Sequence, residues 1–241
     1  TQKDIHTFSI GLKESPDLYY ARKVSKYLKT THHEVQFTFN EAFSKLSELI
    51  RLIETYDVTT IRASMPQYLL SKYIQKNTKI RVLFSGEGAD ELFAGYKYLA
   101  YAPNEDELRD ELYDLVKKLY KYDVLRTDRT TAGCGLEVRV PFLDSDFVSF
   151  AMNIAPSEKK VTKERIEKYI LRKSFENDLS SEVVWRRKEA FSDAVGLTWV
   201  EQLQQKLNVM ISDHEFNSNK EKMNVRTKEE YYYKLLYSKN Y

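Results

Sequence analysis

The run Ile80-Arg81-Val82-Leu83-Phe84 is almost wholly apolar and closes on Ser85-Gly86. A run that short, bounded by small residues, is expected of a strand buried on both faces in a parallel sheet. The sequence before it supplies helices to cover those faces. Ile5 to Leu12 is compact and β-prone; Ser15, Pro16 and Asp17 then provide a turn and a cap for a helix from Leu18 to Leu28. Val35, Phe37 and Phe39 alternate with Gln36 and Thr38 as a second strand, and Asn40 caps a helix carrying Phe43, Leu46, Leu49, Ile50 and Ile53. A further helix holds Met65, Leu69, Leu70, Tyr73 and Ile74. Strands alternating with helices predict an α/β fold, a doubly wound, parallel twisted sheet with flanking helices.

After Glu91 the texture changes. Apolar spacings of three and four predict helices over Leu108–Leu119, Phe147–Met152, Ile166–Phe175, Trp199–Leu207 and Glu229–Tyr237, with no strand between them. No repeat or Gly/Ser/Pro-rich linker interrupts the chain, so the change near Tyr96 is expected to fall inside one compact unit spanning 1–241.

Composition excludes several classes. At 241 residues and 42% hydrophobic, the chain can bury roughly 70% of the surface its unfolded form exposes, which rules out disorder. Its apolar runs, such as Phe147 to Ile154, fall far short of the ~20 residues a bilayer requires, so no membrane span is expected. Lys and Arg number 38 against 36 acids, for a net +2, and the two signs are interspersed, which gives no electrostatic reason to bind nucleic acid. The single cysteine, Cys134, cannot form an internal disulfide, so an intracellular setting is expected. The chain opens on Thr1 close to strand-like sequence, as a portion of something longer would.

Three segments could carry chemistry. Ser85-Gly86-Glu87-Gly88-Ala89-Asp90-Glu91 lies between the apolar run and a helix. Ligands in open α/β sheets sit at the carboxyl ends of strands, where a glycine-rich turn lets backbone N–H groups approach phosphate oxygens. The turn is neither a Walker A motif nor a G-x-G-x-x-G fingerprint, since no Gly-Lys-Ser/Thr follows and Glu91 takes the third glycine position. Glu87, Asp90 and Glu91 would repel phosphate unless a divalent cation bridged them, which points to magnesium with a nucleotide or pyrophosphate. The same acids also suit a solvated helix N-terminus. In the polar stretch Glu54 to Ser64, Thr59, Thr60 and Arg62 suit recognition of a carboxylate or phosphate, or equally helix capping and a surface ion pair. Trp185-Arg186-Arg187-Lys188, continuing to Asp193, could hold a polyphosphate or nucleic acid, or form a solvated helix end. His32-His33 offers too few ligands for zinc, Cys134 reads as a packed thiol, and Tyr231 to Tyr233 read as packing.

In order and wording, these segments resemble the synthetase domain of glutamine-dependent asparagine synthetases. The similarity runs from Phe8-Ser9-Ile10-Gly11-Leu12 with Ser15-Pro16-Asp17, through Glu54–Ser64, Ser85–Glu91 and Glu137–Asp144 (E-V-R-V-P-F-L-D), to Trp185–Gly196. The Ser-Gly-Glu-Gly turn alone is shared with related ATP-pyrophosphatase enzymes, including β-lactam synthetases. The resemblance implies an adenine nucleotide alpha hydrolase-like sheet and a ligase that turns aspartate, ATP and glutamine-derived ammonia into asparagine through β-aspartyl-AMP, with magnesium and ATP at the site. It further implies that the backbone of Ile10 meets adenine, that Ser85 and Gly86 border ATP, and that Asp90 shares the magnesium-pyrophosphate. Lys188 would contact the transferring phosphates, Thr59, Thr60 and Arg62 would hold substrate or phosphate, and Glu87 would position ammonium or remove its proton.

The chain departs from the family at Ala89, usually Ser, at Ala190-Phe191, usually Gln-Phe, and at Cys134-Gly135, usually Trp-Gly. The family's pyrophosphate loop and glutaminase domain would both precede Thr1, and a homodimer is implied. Two other functions fit parts of the sequence: a non-catalytic nucleotide-binding or assembly module, and a β-lactam synthetase-like cyclising ligase.

Overall fold

A computed structural model describes residues 4–13, 15–188 and 197–241. β1 (His6–Gly11) leads into α1 (Pro16–Leu28), and β2 (Thr31–Gln36) into α2 (Phe39–Ser44), α3 (Leu46–Ile53) and α4 (Val58–Asn77). Next come β3 (Val82–Phe84), α5 (Ala89–Leu92), α6 (Glu105–Lys118), α7 (Asp123–Ala132) and β4 (Glu137–Arg139). The rest of the described chain contributes α8 (Ser145–Met152), α9 (Pro156–Lys159), α10 (Tyr169–Ser174), α11 (Ser181–Val184), α12 (Leu197–Met210), α13 (Asp213–Met223) and α14 (Lys228–Asn240). The fold is α/β, as the alternation predicts.

Contacts divide the chain into two units, Thr1–Arg81 with Arg126–Leu136 and Glu189–Tyr241, and Val82–Leu125 with Glu137–Lys188. Tyr96, where the sequence texture changes, lies within the second. In the first unit β1 and β2 pair in parallel, from His6 opposite Thr31 to Gly11 opposite Gln36, with α1 as the crossover. Ser15 stands at the N-cap of α1 with Pro16 behind it, where the missing proline N–H costs nothing. Along α3, Leu46, Leu49, Ile50 and Ile53 recur at spacings of three and four, and all four are buried against α4 and α14. Each such side chain contributes about 2 kcal/mol by leaving water. Trp199 of α12 is fully buried, its ring 5.6 Å from that of Phe39. Tyr231 and Tyr233 of α14 face inward, as their packing reading expects.

The second unit has a short parallel pair, β3 with β4, and a helical core of Leu92, Phe93, Leu99, Leu108, Leu112 and Met152.

Several sequence expectations give way to long-range packing. In place of one doubly wound sheet, the described strands form two separate parallel pairs. The apolar run is not buried on both faces: Val82 is 39% and Phe84 74% exposed, because this unit's core is built from helices rather than from layers over a sheet. β4 stands in a half that was expected to lack strands; three residues, E-V-R, are too few for alternation to show. The second strand is Thr31–Gln36, not the Val35/Phe37/Phe39 alternation, because Thr38, rather than Asn40, starts α2 in a reciprocal capping box with Glu41. The helix expected through Ile53 breaks at Lys45 into α2 and α3. The polar stretch after Glu54 is largely the opening of α4, capped by Asp57. The helix expected over 166–175 begins only at Tyr169, since Lys168 is left-handed at φ 58°. Among the described residues no helix is long and apolar enough to cross a membrane.

Candidate functional site

The Ser85–Glu91 segment is a turn that carries the chain from β3 into α5. Its first N–H, that of Ser85, donates to the Arg139 carbonyl at 2.9 Å, which ties the turn to the end of β4. Gly88 supplies the bend at φ +94°, and a Cβ there would meet Leu143 at 2.4 Å. Only glycine satisfies both demands. Gly86 is exposed, Ser85 and Glu87 are partly buried, and Asp90 and Glu91 fall in the first turn of α5.

Asp90 is the centre of the arrangement. Lys188 Nζ donates to its Oδ2 at 2.6 Å, and Lys168 Nζ lies 2.6 Å from Oδ1 as an ion pair. The carboxylate is pressed against Gly95, where a Cβ would come within 1.8 Å of Oδ1, so a side chain at that position would displace it. Burial alone would raise the Asp90 pKa; the Lys168 and Lys188 charges outweigh it and hold the group below the usual aspartate range.

Lys188 is gripped from several sides. Its ammonium stands 4.9 Å from the centre of the Tyr96 ring, a cation–π distance, and its backbone N–H donates to buried Glu167 at 2.6 Å. Arg172 donates to the Val184 and Arg186 carbonyls just upstream and to the Glu167 carbonyl at 2.8 Å. Tyr96 donates its hydroxyl to Glu91, a residue only 3% exposed whose pKa is raised chiefly by burial.

The other sequence candidates belong to the first unit. Ile10 is buried in β1 opposite Val35. Thr59 is exposed, whereas Thr60 is buried and its N–H donates to the capping Asp57 at 2.7 Å. Arg62 binds Glu229 through two nitrogens, Nε at 2.8 Å and Nη2 at 2.5 Å, and Tyr233 donates to the same carboxylate at 3.0 Å. Glu229 is only 4% exposed, so this ion pair is an interior one and not the surface pair the stretch could equally have formed. Arg62 also lines a cavity of about 350 Å³ with Val58, Gln204, Asn208, Arg226 and Lys228.

Folding therefore joins Asp90 to Lys188 beside the Ser85–Glu87 turn and adds Lys168, Tyr96 and Glu167, which sequence reasoning missed; in the first unit it also missed Glu229, the partner of Arg62. The Ile166–Phe175 periodicity hid Lys168 inside an expected helix, and no local pattern marked the rest. Glu189 to Gly196, including Ala190-Phe191 and the end of the basic segment, lies outside the described residues. His33 pairs with His6 at 2.9 Å and His32 with Thr7 and Ser9, while Cys134 is buried.

The donors around Asp90 do not fit a magnesium ion. Each oxygen faces an ammonium, so a divalent cation would meet like charge there, and among the described residues no three His, Cys, Asp or Glu side chains gather to hold a metal. Two cations on one carboxylate leave a net positive charge, which suits an anion.

Comparison with known proteins gives a consistent result. The profile described as asparagine synthase matches residues 1–107 and 100–237. The chain is 47% identical to asparagine synthetase (glutamine-hydrolyzing) of Gallus gallus over 98% of its own length and 44% of that protein's. It is 49% identical to a probable asparagine synthetase of Dictyostelium discoideum, covering 88% of this chain and 40% of that one. Identity to the Homo sapiens asparagine synthetase is 44%, over the full chain and 44% of that protein. The chain thus spans less than half the length of the curated relatives it matches.

Proposed function

Since this chain belongs to the asparagine synthase family, we propose that it is the synthetase portion of an ATP-dependent ligase that converts aspartate to asparagine. The observation that carries this reading is the lysine pair on Asp90 beside a small-residue turn at the end of a parallel strand. Cations there serve a phosphoryl ligand, in the position where such folds bind nucleotides. An adenine nucleotide alpha hydrolase-like arrangement, a cytoplasmic homodimer and an upstream glutaminase domain that supplies ammonia belong to the same proposal.

Carboxylates are poor acyl donors, so the reaction begins by attaching a leaving group. A β-carboxylate oxygen of aspartate attacks the α-phosphorus of ATP, forming β-aspartyl-AMP as the bond to pyrophosphate breaks. Lys188 meets the charge that gathers on the departing pyrophosphate. Ammonia nitrogen then attacks the β-carbonyl carbon, AMP leaves with the bonding electrons, and a proton is lost from nitrogen. Glu87, in the turn itself, holds the ammonium or takes that proton. Ser85 and Gly86 border the nucleotide, and the Ile10 backbone meets its adenine. Thr59 and Thr60 contribute to holding substrate, with Arg62 fixed by Glu229. Magnesium is part of the family reading, but no step is assigned to Asp90 as its ligand.

The test is aspartate-dependent exchange of labelled pyrophosphate into ATP, comparing this chain with the full-length protein that carries it. Exchange in the full-length protein that stops when aspartate is withheld is the expected result. Its absence there under all conditions overturns the ligase reading.

A further inference from the structure

No step above uses the cavity beside Arg62. It lies wholly within the first unit and holds about 350 Å³, the size of a site for a small organic molecule rather than for one bare ion. Three segments line it: Val58 and Arg62 at the start of α4, Gln204, Leu207 and Asn208 on α12, and the turn from Arg226 to Glu230 that opens α14. Gln204 and Asn208 are one helical turn apart, so their two amides fall on the same face of α12.

The turn into α14 is fixed in place. The Thr227 hydroxyl accepts from the Glu230 N–H at 3.1 Å, and the Glu230 carboxylate accepts from the Arg226 N–H at 2.8 Å. Around the cavity stand three cations, Arg62, Arg226 and Lys228, and two carboxylates, Glu229 and Glu230. Arg62 is bound to Glu229, and Arg226 lies 3.7 Å from Glu230. Lys228 meets an acid from outside the lining, Asp213 at 2.7 Å, whose side chain is 88% exposed while that of the lysine is 15% exposed. A pair with one partner in open water is weak, so Lys228 can exchange it for a ligand's carboxylate. The lining itself carries one cation more than its carboxylates balance.

We infer that this cavity is a binding site for a small polyhydroxylated monocarboxylate, a sugar acid in chemical class, with Lys228 and Arg226 taking the carboxylate. A single surplus charge matches a monoanion. A phosphate ester brings roughly two negative charges at neutral pH, and Glu229 and Glu230 would repel the second. The amides of Gln204 and Asn208 each offer donors and an acceptor, which suits hydroxyl groups, and Val58 and Leu207 meet the carbon chain. The site draws on no residue of the second unit and stands whether or not the ligase reading does.

The test is calorimetric titration of the full-length protein with D-gluconate, beside D-sorbitol as its uncharged counterpart and inorganic phosphate as the dianion, without nucleotide or magnesium. Gluconate should bind, and sorbitol and phosphate should bind on the order of tenfold more weakly or not at all. Lys228→Gln should weaken gluconate binding on the order of tenfold, the loss of one charge-assisted contact, and Lys228→Arg should restore most of it. Lys188→Ala, in the second unit, should leave it unchanged. Because a variant can fail to fold, reductive methylation of the unaltered protein is read by mass spectrometry alongside: gluconate should protect Lys228. No gluconate binding, phosphate binding as tight as gluconate, unprotected Lys228, or unchanged affinity in a folded Lys228→Gln protein overturns the site. Loss of binding in a folded Lys188→Ala protein would place the anion at the Asp90 cluster and overturn it as well.

Discussion

Arg62 in the first unit and Lys188 in the second both sit on a carboxylate, but the charges around them add up differently. Glu229 takes one cation, two guanidinium bonds and a tyrosine hydroxyl, and is closed to solvent. Asp90 takes two cations and is more open. A matched pair leaves no net charge on its two groups, although Arg62 still lines the cavity beside α12. The cluster on Asp90 has one cation more than the carboxylate it surrounds. Lys159 marks the far end of this series: its buried ammonium donates to the Ala151 carbonyl rather than to an acid, and burial pushes its pKa down to about 8.

The contrast is broken most directly at its matched end. Arg62→Met leaves Glu229 buried without its cation and should cost about 3–5 kcal/mol of stability. Replacing both partners with apolar residues should recover most of it. Chemical denaturation measures both; a single-variant loss below about 1 kcal/mol would place the pair with exposed ones.

The unaccompanied cation should reveal itself through pH. Unfolded Lys159 keeps its proton up to about 10.5, whereas the folded group releases it near 8. Between those values the unfolded state holds more protons, so stability rises with pH, by up to about 3 kcal/mol across the window. Urea titrations from pH 7.5 to 10 should show this rise in the unaltered protein and not in Lys159→Met.

Glu87→Ala sharpens the other end of the comparison. As the loss of a contact made in the transition state, it should lower turnover about 10²-fold or more while leaving the melting temperature near that of the unaltered protein. A loss of only a few-fold would return Glu87 to a structural role. The smallest effect concerns a helix start far from either carboxylate. Thr38→Ala removes the hydroxyl that accepts from the Glu41 N–H at 3.3 Å and donates to the Glu41 carboxylate at 2.8 Å, while keeping the Thr38 N–H bond to that carboxylate, and should cost about 1 kcal/mol in a thermal melt.

What could be read from residue order alone was what neighbours along the chain decide. The spacing of Leu46, Leu49, Ile50 and Ile53 marked a buried helical face because one turn of helix brings residues three and four apart together. Ser85 to Asp90 announced a turn between strand and helix because small residues and the end of an apolar run are contiguous there. Even Lys188 was reachable, since its basic segment carries a family resemblance. Strand pairing was not: β3 joins β4 across more than fifty intervening residues, and three-residue strands leave no periodic trace. Nor were the partners of charge. Whether Arg62 is a substrate contact or a closed interior pair depends on Glu229, near the other end of the chain, and whether Asp90 faces metal or ammonium depends on Lys168 adopting a left-handed backbone. Electrostatic roles follow distances through space. A linear sequence lists the charges, and the packing of the core sets which of them meet.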